Sequence, residues 1–339
     1  MLFLCKEKHI RNMNIIQVNE QSGIPLIGAI AFGVIDRGSN LLQVRTITSC
    51  NLGCTFCSTD GGIATRFHHN HFIVDPDYMI KWIKEVIKLK DCNDIEINID
   101  SVGEPTLYQP LTYLISEIKK LPEVKFISMQ TNGTMLNKEK IKELELAGLN
   151  RINLSIHSLD EAKSKYLMGA NNYKISDIKE VAKEIRNSNI QLNITPVWLP
   201  RFNDNDIEEL IKFAKELDCQ ISIQKYEFYK YSRKEKKAKQ VNWFKFYRKL
   251  EEWQKKYDIK LKFGPIDFKI RRTKRIPIPF KQGDIIQVII KSPGWLASQM
   301  IAVAKNRIVT VENCNKSINS TLKVKITESK NSIFLAKPL

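Results

Sequence analysis

Ser49-Cys50-Asn51-Leu52-Gly53-Cys54-Thr55-Phe56-Cys57-Ser58 places three cysteines at the spacing Cys-x3-Cys-x2-Cys. Three thiolates this close can hold three irons of a [4Fe–4S] cluster and leave the fourth iron open to a substrate or cosubstrate. A zinc site normally takes four protein ligands in two pairs, so zinc needs a second pair here, for which the nearest candidates are His68, His69 and His71. A disulfide framework fits less well. Three close cysteines and seven in the whole chain are odd numbers, and a secreted chain would leave thiols unpaired. Chance clustering of buried cysteines also competes, because free cysteine is among the most buried residue types. The surroundings of the triad separate these alternatives.

From Leu41 onward, short β-rich runs alternate with helical patterns, which predicts βα units and a parallel sheet. The candidate strands are 42–47, 95–100, 124–130, 151–157, 191–197 and 220–224. Between the first two, Asp75-Pro76 reads as an N-cap followed by proline at the first helical position, and Met79, Ile83, Val86 and Ile87 form an apolar stripe. Asn137 can cap a helix that ends near Ala147-Gly148, with glycine suited to the position after the last turn. Ile207, Leu210, Ile211 and Ala214 mark another helix.

In parallel barrels, chemistry gathers at the carboxyl ends of the strands. Polar clusters fall there in this chain. Asp100-Ser101-Val102-Gly103-Glu104-Pro105 follows the second strand, and Gln130-Thr131-Asn132-Gly133-Thr134 follows the third. At the fourth, Asn153, Ser155 and His157 alternate and so share one face. Gly-Glu-Pro and Asn-Gly are each common in turns; their register behind a cysteine triad is what makes them a joint signal. His157 suits a hydrogen-bonded scaffold as well as a substrate contact. The segment Arg66-Phe67-His68-His69-Asn70-His71 is expected to be a solvated loop.

With Phe56 at its aromatic position, the triad resembles the signature loop of the radical S-adenosylmethionine superfamily. The resemblance implies an α/β fold, a partial (βα)6 TIM-like barrel, since a closed eight-stranded barrel would need more chain. It implies a [4Fe–4S] cluster whose open iron is chelated by the amino and carboxylate groups of S-adenosylmethionine, and electron transfer that cleaves this cosubstrate to methionine and a 5′-deoxyadenosyl radical. The cofactor then does the hard chemistry, and the protein supplies orientation and exclusion. Carried over residue by residue, Cys50, Cys54 and Cys57 hold the cluster, while Phe56, Gly103, Glu104, Asn132, Ser155 and Val197 form the S-adenosylmethionine site. Gly103-Glu104 resembles the superfamily's "GGE" element, which receives the amino group. Val102 stands where the first glycine is usual, so nothing is carried over to it. Asn132 and its neighbours are placed to meet the ribose or the methionyl carboxylate, and Pro196-Val197-Trp198-Leu199-Pro200 lies where the superfamily packs adenine. An electron donor such as ferredoxin or flavodoxin is implied as a partner.

At 339 residues, length favours about two domains. The expected division is an N-terminal extension (1–40), the partial barrel (41–269), a linker (270–280) around Arg275-Ile276-Pro277-Ile278-Pro279, and a small β-barrel (281–339). About five short strands in the last segment have the size of a small antiparallel barrel. Gly283-Asp284, the run from Ala302 to Val311 and a lysine-bearing final hairpin resemble the TRAM domain, an OB-like module attached to several RNA-modifying enzymes. The whole looks like an archaeal-type family of radical S-adenosylmethionine proteins with a TRAM tail. No apolar run approaches the ~20 residues of a membrane span, and Met1-Leu2-Phe3-Leu4-Cys5-Lys6 is too short in its apolar part to be a secretory signal. A reducing cytoplasm fits these features and the thiolate motif.

The formal net charge is +17, and its placement matters more than its size. Residues 225–275 hold 19 Lys plus Arg against 6 Asp plus Glu, an excess of 13, together with 12 aromatic residues. Such density attracts a polyanion, and aromatics can stack on exposed bases, which points to RNA. For Trp243, Phe246, Tyr247 and Trp253, however, burial on one face of a helix is the simpler expectation.

The leading expectation is therefore an RNA-modifying transferase acting on tRNA or rRNA, by C-methylation or a related functionalisation of a base. Only Cys5 precedes Cys50, which leaves no upstream cysteine-rich domain such as a methylthiotransferase needs. About 40 residues before the motif cannot hold a cobalamin domain. Cys92, Cys219 and Cys314 are candidates for a methyl-relaying cysteine, and burial as inert thiols competes for each. Two rivals remain: a radical enzyme acting on a small molecule or cofactor precursor, and an RNA-binding protein whose cluster is structural.

Overall fold

The structure, a computed structural model, describes residues 14–339. Cys5, the apolar start of the chain and the first part of the 1–40 extension lie outside the described residues. In chain order the elements are β1 (Asn14–Val18), β2 (Gly33–Asp36), β3 (Leu41–Arg45), β4 (Asn70–Val74), α1 (Pro76–Lys90), β5 (Ile95–Ile99), α2 (Leu111–Lys119) and β6 (Val124–Thr131). These are followed by α3 (Lys138–Ala147), β7 (Arg151–Leu154), α4 (Glu161–Met168), α5 (Ile175–Arg186), β8 (Gln191–Ile194), β9 (Val197–Trp198), α6 (Asp204–Glu216) and β10 (Gln220–Ile221). The chain then forms β11 (Gln224–Lys225), α7 (Trp243–Tyr257), β12 (Ile285–Pro293), β13 (Gln299–Ala304), β14 (Arg307–Glu312), β15 (Thr321–Lys330) and β16 (Ile333–Pro338).

The main sheet has the order β10-β8-β7-β6-β5-β3-β2. Its six strands from β3 to β10 run parallel, and β2 adds an antiparallel edge. Six parallel strands in chain order, with helices between them, make the expected partial (βα)6 TIM-like barrel. Local chemistry explains where the helices start. Asp75 accepts a hydrogen bond from Tyr78 N at 2.9 Å ahead of Pro76, and α1 buries Met79, Ile83, Val86 and Ile87, each of which stabilises by roughly 1.5–3 kcal/mol. Asn137 caps α3 through Lys140 N at 2.8 Å, and Gly148 ends it with φ of 102°, a conformation in which a side chain is strained.

The last three parallel strands end earlier than expected, at Leu154, Ile194 and Ile221 rather than at 157, 197 and 224. Beyond those points the ladder loosens: Ser155 N donates to Thr131 O, Thr195 N to Leu154 O and Ser222 N to Ile194 O, and the last two segments pair again as β9 with β11. The departing segments supply side chains to the site described below.

Residues 270–280, expected as a linker, are tied to the first barrel. Lys90 and Asp36 form a fully buried ion pair at 2.8 Å, Lys90 Nζ also donates to Lys274 O, and Ile276 N donates to Asp36. Beyond them β12-β13-β14-β16-β15 close into a barrel around Val288, Ile290, Val309, Val324 and Phe334. One pair in it, β14 with β16, is parallel, where a wholly antiparallel barrel was expected. Alternating apolar residues fix which face is buried but not the direction of the neighbouring strand.

The small barrel docks on the first. Ile308 N donates to Ile27 O and Phe334 N to Gly28 O. A Cβ on Gly28, whose φ is 128°, would lie 2.2 Å from Ile308 O, so only glycine permits this approach. The loop after β12 lays Trp295 on His68, with rings stacked 3.8 Å apart, and Asn70 Nδ2 donates to Gly294 O. This corrects part of the expectation for residues 66–71, of which Arg66, Phe67 and His69 are exposed as a solvated loop would be. His68 and His71 are buried, because β4 begins at Asn70, pairs with β1 and has the Gly294–Leu296 loop laid against it. No helix among the described residues is long and apolar enough to cross a membrane.

Candidate active site

The polar strand ends converge on one cavity of about 580 Å³. Cys50, Cys54, Cys57 and Phe56 reach it from the loop after β3. Gly103 and Glu104 come from the loop after β5, Asn132 from the end of β6, Ser155 from the end of β7 and Val197 from β9. All nine residues singled out in the sequence thus line a single space. Cys92, Cys219 and Cys314 lie outside its lining.

The cysteine loop is held by backbone contacts from several elements. Gly53 N and Thr55 N donate to Met168 O and Leu167 O, and Asn51 joins Asn132 and Thr134 by hydrogen bonds of 3.0 and 2.8 Å. Gly103 packs against the start of the loop so closely that a Cβ would stand 2.0 Å from Ser49 O. Glycine is therefore required at this point of the Gly-Glu-Pro turn. Burial pushes the Cys50 thiol up to about 12 and raises that of Cys54 as well, and neighbouring cysteines add to both shifts.

Glu104 is the hub of the opposite wall. Its Oε1 accepts from Thr106 N (3.0 Å), Thr106 Oγ1 (2.7 Å) and Thr131 Oγ1 (2.6 Å), and its Oε2 accepts from Asn132 N (2.8 Å). Burial raises its carboxyl above the usual range, and these donors oppose that rise. Two carboxylate oxygens offer about four lone-pair sites. Oε2, with one donor, keeps room for a further donor such as an amino group.

His157 proves to be scaffold that faces the cavity. Its Nδ1 accepts from Val197 N at 3.0 Å, and its ring packs edge-on against Phe56 with centroids 4.7 Å apart. It thereby fixes two of the nine site residues to each other. Burial holds its imidazole down at about 3. The unfolded imidazole protonates near 6.5, so the stability from this group is complete above about pH 6.5 and is lost as pH falls toward 3, by about 1.4 kcal/mol per pH unit. Denaturant unfolding followed across this range is expected to show a shallower acid slope for His157→Asn, which keeps an acceptor for Val197 N but does not titrate. Equal slopes in the two proteins would contradict this assignment.

Several contributors were not among the site residues expected from the sequence. Lys225, Tyr226, Glu227 and Tyr229, from the start of the basic segment read as an RNA surface, line the cavity. Arg45 and Asp100 meet in a salt bridge at 3.1 Å on its wall. Behind the cysteine loop, buried Arg233 faces buried Asp60 at 3.6 Å.

The donor set suits a cluster better than zinc. Among the described residues no three His, Cys, Asp or Glu side chains converge as a single metal ion requires, whereas thiolates that each hold a different iron need only ring the same cavity. The histidines that zinc would need do not join the cysteines: none of His68, His69 and His71 lines the cavity, His71 Nδ1 is 3.0 Å from Ser49 Oγ, His68 donates its Nε2 proton to Thr59 O, and His69 is exposed.

Comparison with known proteins agrees with this geometry. The family model of the Radical SAM superfamily matches residues 44–214. The chain is 38% identical over 348 aligned positions to the uncharacterized protein MJ0103 of Methanocaldococcus jannaschii, covering 95% of this chain and 80% of that one. It is also 29% identical to the GTP 3',8-cyclase of Aquifex aeolicus, over 57% of this chain and 58% of the cyclase, so the match spans little more than half of that enzyme. Among solved structures, Streptococcus suis SuiB aligns with a TM-score of 0.51 at 20% identity, over 72% of this chain and 51% of that one. A radical SAM methyltransferase from Sphaerobacter thermophilus aligns at 0.50 and 16% identity, over 66% and 65%. These two likenesses concern the fold.

The chain belongs to the radical SAM superfamily and is a radical S-adenosylmethionine enzyme. It uses a [4Fe–4S] cluster and S-adenosylmethionine. When bound, these supply a carbon radical through one-electron reductive cleavage. The protein's part is to hold the thiols on a fixed loop, to present Glu104 and the strand ends, and to surround the site with buried walls.

Proposed function

We propose that this enzyme modifies tRNA or rRNA at a base carbon, by C-methylation or a related functionalisation, with Cys50, Cys54 and Cys57 as cluster ligands and Phe56, Gly103, Glu104, Asn132, Ser155 and Val197 around S-adenosylmethionine. The observation that supports RNA is a set of exposed aromatic rings beside the cavity wall, in the most basic stretch of the chain. Lys225, which lines the cavity, has a buried side chain paired with Glu227 at 2.8 Å, and its Nζ lies 5.0 Å over the ring of Trp243, the first residue of α7. Trp243, Phe244 and Tyr247 are 52%, 73% and 41% exposed, so the burial expected of Trp243 and Tyr247 does not occur; only Phe246 and Trp253 face inward. Two exposed rings stacked 5.7 Å apart beside lysines suit unpaired bases, each stack contributing about 1–3 kcal/mol. The proposal includes a division into a barrel (41–269) and a TRAM-like module (281–339), with RNA binding as the role of the tail. The setting is the cytoplasm, with ferredoxin or flavodoxin as electron donor.

The test is nucleoside mass spectrometry of RNA from cells lacking the gene, followed by anaerobic reaction of that RNA with reconstituted enzyme. One modified nucleoside is expected to vanish and to be restored in vitro, with RNA stimulating 5′-deoxyadenosine formation. If 5′-deoxyadenosine forms equally without RNA and no nucleoside changes, the proposal is lost. RNA affinity is also expected to fall steeply with salt, by about tenfold or more between 50 and 200 mM, as phosphate contacts release counterions; a flat response would remove the basic surface from the argument.

A second reading draws on the resemblance to GTP 3',8-cyclases. It is a small-molecule reaction on a nucleotide or cofactor precursor, and GTP alone would then stimulate cleavage.

A further inference from the structure

Arg233 occupies a position that neither the fold nor the cosubstrate cavity explains. Its main-chain N donates to Cys57 O at 3.0 Å, and Ser232 Oγ donates to Ser58 O at 2.8 Å, so this segment is clamped onto the third cysteine and its neighbour. The side chain is 6% exposed. Its Nη2 donates to Gly61 O, and its Nε lies 3.6 Å from Asp60 Oδ1, too long for a hydrogen bond. Nε and Nη1 find no acceptor in the protein.

Buried N–H groups without partners are rare, and a buried charge costs several kcal/mol unless well compensated. Asp60 compensates only in part. Its Oδ2 is committed to Thr65 Oγ1, Arg66 N and Phe67 N, which fold the following loop. The positive charge also acts on Cys50 and Cys54, in the direction that favours thiolate. Arg233 does not line the cavity, and it meets the cysteine loop through the carbonyls of Cys57 and Gly61.

We propose that Arg233 is the built-in counter-cation of the cluster, a positioning residue that sets how readily the cluster accepts its electron. Three thiolates on a 2+ core leave the oxidised centre with one net negative charge, and reduction adds a second. Uptake of one electron from a low-potential one-electron donor, an iron–sulfur or flavin protein in cells, breaks no bond and moves no proton. A fixed guanidinium in a low-dielectric wall stabilises the more negative state, and charge and hydrogen bonds near sulfur are established levers on cluster potential.

The experiment is an anaerobic redox titration of the reconstituted full-length enzyme with dithionite, read by electron paramagnetic resonance, with iron and sulfide content measured on each sample. For Arg233→Gln at full iron content, poised at the wild-type midpoint, the reduced-to-oxidised ratio is expected to fall at least about tenfold, which is about 59 mV for a one-electron couple. Arg233→Lys, which keeps the charge, should lie closer to wild type. Asp60→Asn removes the partial counter-charge and should move the ratio the other way. An unchanged ratio in Arg233→Gln at full iron, or equal shifts in the Lys and Gln variants, would overturn the proposal. If Arg233→Gln fails to take up four irons, Asp60→Asn decides: a raised ratio supports the assignment, and an unchanged or lowered one overturns it.

Discussion

Cys54→Ala is expected to abolish assembly of the four-iron cluster and to reduce S-adenosylmethionine cleavage by more than ~100-fold, beyond the 10–100-fold typical of losing a partner that only orients a metal ligand. The expected loss is chemical, because the loop around Cys54 does not depend on its side chain. Gly53 N and Thr55 N hold the backbone to Met168 O and Leu167 O on either side, and beyond its apolar packing the sulfur makes one polar contact, of 3.9 Å to Met168 Sδ. Alanine therefore leaves the fold in place and removes one iron ligand. Cys219→Ala is the matched control, since Cys219 is partly buried and lies outside the cavity lining. Iron content, visible absorption and 5′-deoxyadenosine formation should all collapse in the first variant and persist in the second. Full iron and full cleavage in Cys54→Ala would remove the triad from the cluster.

The parts of the site that are local in sequence were legible there. The triad, the Gly-Glu-Pro turn and the helix caps at Asp75 and Asn137 are each set by neighbouring residues, and each stands where its pattern placed it. Register carried the rest: once six strands lie parallel, their carboxyl ends share one side, and Glu104, Asn132 and Ser155 must meet. What escaped notice depends on contacts between distant segments. Arg233 meets Asp60 across more than 170 residues of chain, and in the sequence it is one basic residue among many. The burial of His68 and His71 depends on Trp295 and its loop, so a polar hexamer that looks solvated becomes a docking edge only when the second barrel arrives. The α7 aromatics divide because the apolar face admits only Phe246, Leu250 and Trp253. The remaining rings, Trp243, Phe244 and Tyr247, lie off that face, and helical periodicity cannot say what an outward ring is for.

Glu104→Gln should have the second large effect, through the cosubstrate. The glutamate carboxylate satisfies four protein donors, three on Oε1 and one on Oε2. A glutamine keeps one oxygen and replaces the other by an NH2 group, itself a donor. In the less costly orientation the oxygen keeps Thr106 and Thr131, and the NH2 confronts Asn132 N. One buried donor left unpaired, together with weakening of the charge-assisted bonds that remain, costs on the order of 3 kcal/mol. That cost falls on the turn that carries Asn132, whose side chain donates to Asn51 on the cysteine loop. Strain at Glu104 therefore reaches the cluster loop and both sides of the proposed S-adenosylmethionine site together. S-adenosylmethionine affinity, measured anaerobically by calorimetry on cluster-loaded protein, is expected to fall at least tenfold, and thermal unfolding should come earlier. Thr106→Val separates the two effects. It removes one donor to Oε1, leaves the Asn132 contact intact, and should lower stability by about 1 kcal/mol with little change in affinity. If Glu104→Gln binds S-adenosylmethionine as wild type does while unfolding earlier, Glu104 is a structural tie and the amino group is received elsewhere. If affinity falls in Glu104→Gln and holds in Thr106→Val, the Oε2 side of Glu104, with its Asn132 contact and free acceptor site, is what the cosubstrate requires.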